Sequence, residues 1–341
     1  MPFRAVLLAL WALGAGPARH RESVERRVHV MGTVLTATVE DPGLGTARQA
    51  AEAAVSAVER QDRLLTTWDP AAPMGTLNAA PVGRPIAVDA AILPVLAEAQ
   101  DWSRRTSRAF DPTVGALVDV WDLRGRGRIP GPEDLGEALG RCGPTAIAVD
   151  VQQATLTRYV EGAWMDTGAF GKGAALRVAA DSLRTYGIRR ALLDLGGQIF
   201  ALASPGEIPW DVSVAHPSRR DEAVAMLRLA GVSAATSGNS ERGLWVDGVQ
   251  VGHILDPRTG APAPWWGSVT VVTADPLVAD VLSTALYVMG PEAGMAWARD
   301  LPDVGALFLV ERDGKIQTLH NQAMARWLVA QHTSSPEGRI P

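Results

Sequence analysis

The chain has 341 residues, 47% of them hydrophobic and 20% charged, with a formal net charge of -5. That composition supports a large core and argues against disorder, and with no long run of Lys or Arg there is no nucleic-acid footprint. One cysteine, Cys142, excludes an internal disulfide and a cysteine-based metal site.

At the start, Arg4 precedes an apolar run over residues 5–15 and the small residues Gly16, Pro17 and Ala18. This is the pattern of a secretory signal over residues 1–18, too short to span a bilayer. No cysteine follows it, so an N-terminal lipid anchor is not expected and membrane association is peripheral at most. The expectation is export to an envelope or periplasm-like space, with a cytoplasmic chain as the alternative. Residues 19–27 read as a linker, 28–330 as one folded unit and 331–341 as a flexible tail.

Residues 28–39 alternate and are rich in Val and Thr, which predicts a strand containing Met31-Gly32-Thr33. Ala50, Ala54, Val58 and Leu65 recur at helical spacing, so residues 45–66 read as an amphipathic helix. Residues 68–85 read as loop and 89–106 as a second helix, after which Asp111-Pro112-Thr113 offers a side-chain oxygen to cap the next turn. A short helix is predicted over 132–140, a hairpin over 146–156 and a strand ending at Trp164-Met165-Asp166. Thr167 to Gly173 then opens a helix that runs to about residue 186. Residues 190–202 read as a strand broken by Gly196-Gly197, 209–215 as another, and 221–229 as a short connecting element. A hairpin over 243–251 turning at Asp247-Gly248, a strand over 268–273 and a helix over 276–289 complete the pattern. This mixed order predicts an α+β protein.

Three places carry chemical groups. Asp166 to Gly173 joins a strand to a helix through glycines and one lysine, which suits an anion at a helix start but also a plain tight connection. Asp280 and Thr284 lie four apart, so on a helix they share a side. They read either as oxygen ligands for Mg²⁺ or as a solvated face, and the apolar residues around them favour burial, where a lone Asp needs a partner. Residues 252–260, Gly-His-Ile-Leu-Asp-Pro-Arg-Thr-Gly, set His253 and Asp256 in a segment stiffened by Pro257. His253 alone reads equally as a core histidine; clustered with Asp256, Arg258 and Thr259 it points to binding. Trp68 stands in a loop, where a flat ring suits a planar ligand.

In order, Met31-Gly32-Thr33, Ala109-Phe110-Asp111-Pro112-Thr113-Val114-Gly115, Asp166 to Gly173, Leu193-Asp194-Leu195-Gly196-Gly197, Thr236-Ser237-Gly238, His253 to Gly260 and Ala279-Asp280 to Thr284 resemble the FAD:protein FMN transferase (ApbE-like) family. The resemblance covers residues 30–290. It implies a two-lobed α+β fold with mixed sheets and an FAD cleft between the lobes. It also implies Mg²⁺-dependent transfer of FMN from FAD to a Thr or Ser hydroxyl of an acceptor flavoprotein, with release of AMP. Carried over by position, Met31, Trp68, Ala109, Phe110, Asp111, Asp166, Lys172 and Leu255 would line the FAD site. Ala169, through its carbonyl, with Asp280 and Thr284 would hold the metal. His253 would be the base, Lys172 an assistant at the phosphates, and Asp256 would orient the loop or the imidazole. The chain departs from the family near Pro73, where a Ser is usual, at Arg177, where an Asp is common, and at Gln198, which replaces an Asp. An FAD pyrophosphatase and a non-catalytic flavin-binding envelope protein are the alternative functions.

Overall fold

The computed structural model describes residues 21–239, 243–246 and 248–331. The expected secretory signal, most of the expected tail and Asp247 lie outside the described residues.

The chain opens with β1 (Glu22–Val30) and β2 (Thr33–Asp41), antiparallel in the register Val30↔Thr33 to Glu22↔Asp41. What reads as one strand is therefore a hairpin, and from Glu22 the expected linker is already sheet. The turn is Met31-Gly32, both with positive φ (53° and 68°), the combination a two-residue turn of this kind needs. Alternation runs on through so short a turn, which hides it from the pattern. Then come α1 (Leu44–Leu65), α2 (Pro73–Asn78), which interrupts the expected loop, β3 (Ile86–Ala87), α3 (Leu93–Arg105), α4 (Gly115–Val120) and α5 (Pro132–Gly140). β4 (Ile147–Asp150) and β5 (Thr155–Arg158) form the expected hairpin.

Trp164 to Asp166 is irregular rather than a strand end. α6 (Gly171–Thr185) follows, then β6 (Arg190–Leu195), β7 (Gln198–Ala203), β8 (Trp210–Ala215) and β9 (Ala223–Leu229), so the expected connecting element is a strand. The chain continues through β10 (Val232–Gly238), β11 (Leu244–Val246), β12 (Val249–Val251), β13 (Gly267–Thr273), α7 (Pro276–Ala298), β14 (Gly305–Arg312), β15 (Lys315–His320) and β16 (Leu328–Gln331). α7 is two helical segments, broken where Gly290 takes φ 79° and ψ 170° ahead of Pro291.

The main sheet has eight strands in the order β1-β2-β6-β7-β10-β13-β14-β15. Its neighbours all pair antiparallel, as do those of the smaller sheets, so the expected mixed sheets are antiparallel ones. Side-chain alternation sorts its faces. Leu193, Leu195 and Phe200 pack on α1 and α6, whose alanines (Ala47, Ala50, Ala54 against Ala175, Ala179) bring the two helices close. Val269, Val271 and Phe308 pack on α7. From the other face, Ala201, Ala234, Val272 and Leu307 meet the three-stranded sheet β16-β9-β8. Fully burying one side chain such as Phe308 contributes about 1.5–3 kcal/mol, so the sheet is a rigid floor for whatever its ends and turns display.

Candidate active site

A cavity of about 1160 Å³ is bounded by the β1–β2 turn, the end of α1, the segment before α4, the start of α6, the β6–β7 turn, the loop after β12 and the first segment of α7. Every site residue expected from the sequence lines it except Asp256.

The charged end lies where α6 meets α7. Asp280 is 4% exposed, and its carboxylate accepts from Lys172 Nζ at 3.2 Å and from the Gly173 backbone N–H at 2.9 Å. The buried Asp thus has the partner that burial demands. Gly173 makes this possible: a Cβ there would lie 2.5 Å from the Pro276 carbonyl oxygen and 2.6 Å from the Leu277 Cα. α6 has no side-chain cap of its own, so Asp280 reaches across to bond its third N–H, with its negative charge at the positive end of the helix dipole. Thr284, one turn along α7, also lines the cavity.

α7 itself is fixed at its start. Asp275 caps it, accepting from Leu277 N–H at 2.9 Å. Arg177 holds that cap at 2.7 Å and reaches Glu98 of α3 at 2.8 Å. Burial works against the Arg177 charge, and the hydrogen bonds it donates to Glu98 and Asp275 outweigh it, so its pKa rises. The departure at Arg177 is a structural brace.

Along the next wall, Asp166 accepts from the Arg124 guanidinium at 2.7 Å and from Gly168 N–H at 2.9 Å. Arg124 lies between the rings of Trp68 and Trp164, 4.5 Å from each centroid, and donates to Thr67 Oγ1 at 2.6 Å. Trp68, 71% exposed, is therefore a supported platform. Arg124 was not singled out in the sequence; an arginine in a Gly/Arg/Pro loop gives no sign of its two aromatic neighbours.

Asp111 is turned away from a free role. Arg108 Nε donates to it at 2.8 Å and Thr113 Oγ1 at 2.6 Å, so it caps the turn as its sequence suggests. Ser107 and Arg108 just before it take φ of 50° and 62°, left-handed conformations that cost about 1–3 kcal/mol each and gather at functional sites. Phe110 is 1% exposed and packs edge-on against Phe170, so it supports the wall rather than offering a face.

The loop after β12 is pinned by four hydrogen bonds from three side chains. Asn239, fully buried, accepts Ile254 N–H at 3.1 Å and donates to the Ala263 carbonyl at 2.8 Å. Trp121 Nε1 donates to the Gly260 carbonyl at 2.7 Å and Arg108 to the Pro257 carbonyl at 3.4 Å. Within the loop, Asp256 accepts from Arg258 Nε and Nη2, each at 2.8 Å. Its carboxylate therefore orders the loop; it is not on the cavity wall. Gly252 is required because a Cβ would lie 2.4 Å from Asn239 Nδ2. His253 is thus presented at the cavity wall on a rigid backbone. Behind it Tyr287, buried and stacked on Trp266 at 4.8 Å, is pushed up to about 12 by burial and stays a neutral donor.

One buried carboxylate, one hydroxyl, a lysine and a helix N-terminus on one cavity wall form a site of the class that suits a phosphate ester, with hard oxygens that could take a cation. The sequence narrows this class: it matches the ApbE family over residues 31–308, and the chain belongs to that family. The FAD:protein FMN transferase of Treponema pallidum (strain Nichols) is 31% identical over 312 residues, 86% of each chain. That of Vibrio cholerae is 30% identical, with 90% of this chain and 93% of the relative covered. Among solved structures, the ApbE protein from Thermotoga maritima has a TM-score of 0.82 at 27% identity, over 91% of this chain and all of that one.

Proposed function

We propose that the protein is a Mg²⁺-dependent FAD:protein FMN transferase that moves FMN to a Thr or Ser hydroxyl of an acceptor flavoprotein and releases AMP. The observation that carries this is Asp280, buried in the cavity wall on Lys172 and Gly173, with Thr284 and His253 on the same cavity. Its support beyond the site is the enzyme name shared by the relatives.

The donor set suits Mg²⁺. The Asp280 carboxylate, the Thr284 hydroxyl and the Ala169 carbonyl are hard oxygens, few enough to leave places for phosphate oxygens. Among the described residues no group of three or more His, Cys, Asp or Glu could hold a metal, so a site built from one carboxylate plus substrate oxygens is what these residues offer. When bound, the cation neutralises charge on the bridging phosphates.

The chain's own residues do the rest. Lys172 and the first amides of α6 hold the phosphates. Trp68, braced by Arg124, takes a flat ring, and Met31, Ala109, Phe110, Asp111, Asp166 and Leu255 complete the FAD walls. His253 accepts the proton of the attacking hydroxyl. As the new oxygen–phosphorus bond forms, the bond from that phosphorus to the bridging oxygen breaks, and the bridging oxygen leaves on AMP.

Incubation with FAD, Mg²⁺ and a flavoprotein domain carrying an acceptor Thr is expected to give a covalently flavinylated, fluorescent band. No band with FAD left intact overturns the reading. AMP release that is equally fast without acceptor would instead indicate an FAD pyrophosphatase. We also propose export to an envelope or periplasm-like space, with at most peripheral membrane association. Among the described residues no helix is long and apolar enough to cross a membrane. Recovery of an uncleaved chain from cytoplasm alone would sink the export reading.

A further inference from the structure

One carboxylate on the cavity wall has no part in the transfer chemistry described above. Asp62 lies in the last turn of α1 and is partly exposed. It lines the cavity with the Met31-Gly32 turn, which it holds, and with Leu65 to Trp68, which follow it in the chain. Its Oδ2 accepts the Met31 backbone N–H at 3.2 Å. Its Oδ1 takes no hydrogen bond from any described residue. The last turn of a helix is the negative end of its dipole, where a carboxylate is disfavoured. A single N–H leaves half of the acceptor capacity of this one unanswered.

The surroundings of Asp62 indicate what the second donor belongs to. Met31 Cε lies 3.3 Å from where a Cβ on Gly171 would sit, so the turn that Asp62 holds rests against the first residue of α6, the place of phosphate. Thr167 Oγ1 donates to the Leu65 carbonyl at 3.0 Å and ties the end of α1 to the same approach. Just past that end, Trp68 offers its ring to the cavity. Asp62 thus borders the place of phosphate on one hand and the place of a flat ring on the other. In each half of FAD the group that joins phosphate to ring is polyhydroxylated: ribose before adenine, ribityl before isoalloxazine. A hydroxyl donates, a carboxylate only accepts, and the bond between them is of the strong, charge-assisted kind. Dinucleotide folds use the same pairing of a carboxylate with ribose hydroxyls.

We propose that Asp62 Oδ1 accepts a hydrogen bond from a sugar hydroxyl of FAD, on the ribose or on the ribityl chain, while Oδ2 keeps its hold on the Met31 turn. This deepens the FAD reading of the cavity and rests on it. Met31 is held at φ 53°, an uncommon conformation for a bulky residue, so one carboxylate fixes an unusual turn and reads the ligand beside it. Its charge also repels phosphate oxygens, which favours the start of α6 over the end of α1 as their seat.

The test is rapid-mixing titration of the full protein, followed by flavin fluorescence anisotropy with Mg²⁺ and no acceptor. Three ligands are compared: FAD, an analogue whose ribose lacks both free hydroxyls, and an analogue whose ribityl chain lacks its hydroxyls. Wild type is expected to bind one analogue about tenfold more weakly than FAD. Asp62→Asn keeps an oxygen for the Met31 N–H and removes the anionic acceptor. It is expected to weaken FAD about tenfold yet bind that same analogue within about twofold of wild type. The analogue that shows this coupling names the sugar. Wild type binding both analogues as tightly as FAD overturns the proposal. So does an Asp62→Asn variant that leaves FAD binding unchanged, or one that weakens all three ligands equally, the mark of a carboxylate that only clamps the turn. If Asp62→Asn does not fold, Asp62→Ala is read in the same way. A wild type that binds none of the three fails the cavity reading itself, an outcome distinct from the others.

Discussion

The two working parts of the site are built on different principles. The Asp280 end is made rigid by packing: two helices touch through Gly173, and the carboxylate bonds an amide that only this close approach brings within reach. The His253 end is made rigid by side chains that staple a loop, chiefly Asn239 and Trp121. A packed junction tolerates no added volume but needs few polar partners. A stapled loop has room around it and fails when a hydrogen bond is removed. The contrast predicts which kind of substitution each end resists.

The largest effect is expected at the packed end. Asp280→Ala should reduce flavinylation more than about 10³-fold, measured as labelled acceptor against time, since on the proposed reading it removes the carboxylate that would carry the cation at the phosphates. His253→Ala should lower the rate by about 10²–10⁴-fold while FAD binding stays near wild type; loss of FAD binding would show that the loop does more than present a base. Gly173→Ala should lower the unfolding free energy by about 1–3 kcal/mol, because its methyl overlaps α7, and should raise the Mg²⁺ concentration needed for activity. An unchanged requirement would break the link drawn between helix approach and carboxylate position.

At the stapled end, Asn239→Ala should cost about 1–3 kcal/mol by leaving Ile254 N–H and the Ala263 carbonyl unpaired. In contrast to Gly173→Ala, it should slow turnover without altering the Mg²⁺ dependence. The smallest effect concerns Cys142, which burial pushes up to about 12. The native thiol should resist alkylation at pH 8 and react on unfolding. Because its folded pKa lies above the ordinary value of 9.0, its contribution to stability is full below pH 9 and is lost as the pH rises towards 12.

Much of this was legible in the sequence where one signal governs one element. α1 and α6 carry the helical period, Pro132 to Gly140 is bounded by its own Pro and Gly, and Gly196-Gly197 marks the β6–β7 turn. The Met31-Gly32 turn was not legible, since a bulky residue at positive φ is exceptional and the flanking alternation continues through it. β9 was read as a connection and β14 to β16 were not read at all: β14 and β15 are a hairpin turning at Asp313-Gly314, a signal the sequence carries, whereas β16 pairs with β9, far away in sequence. Within the site, the sequence singled out Asp280, Lys172 and His253 as candidates but not which side chains meet them. Lys172 pairs with Asp280 across 108 positions, and Arg124 and Asn239 acquire meaning only from what folds around them. Of the two roles expected for Asp256, orienting the loop or the imidazole, its pairing with Arg258 matches the first, although adjacency in sequence does not show that Arg258 claims its carboxylate.

The break in α7 at Gly290 separates two tasks within one helix. Before it, nearly every side chain is buried and Asp280 and Thr284 face the cavity; after it, only Gly294 and Ala298 are buried. With the backbone ladder interrupted at Gly290 and Pro291, a shift of the second segment is not carried along the helix axis to the first. The outer segment is thus free to diverge in sequence, or to accept an insertion, while the register of the residues at the cavity is preserved.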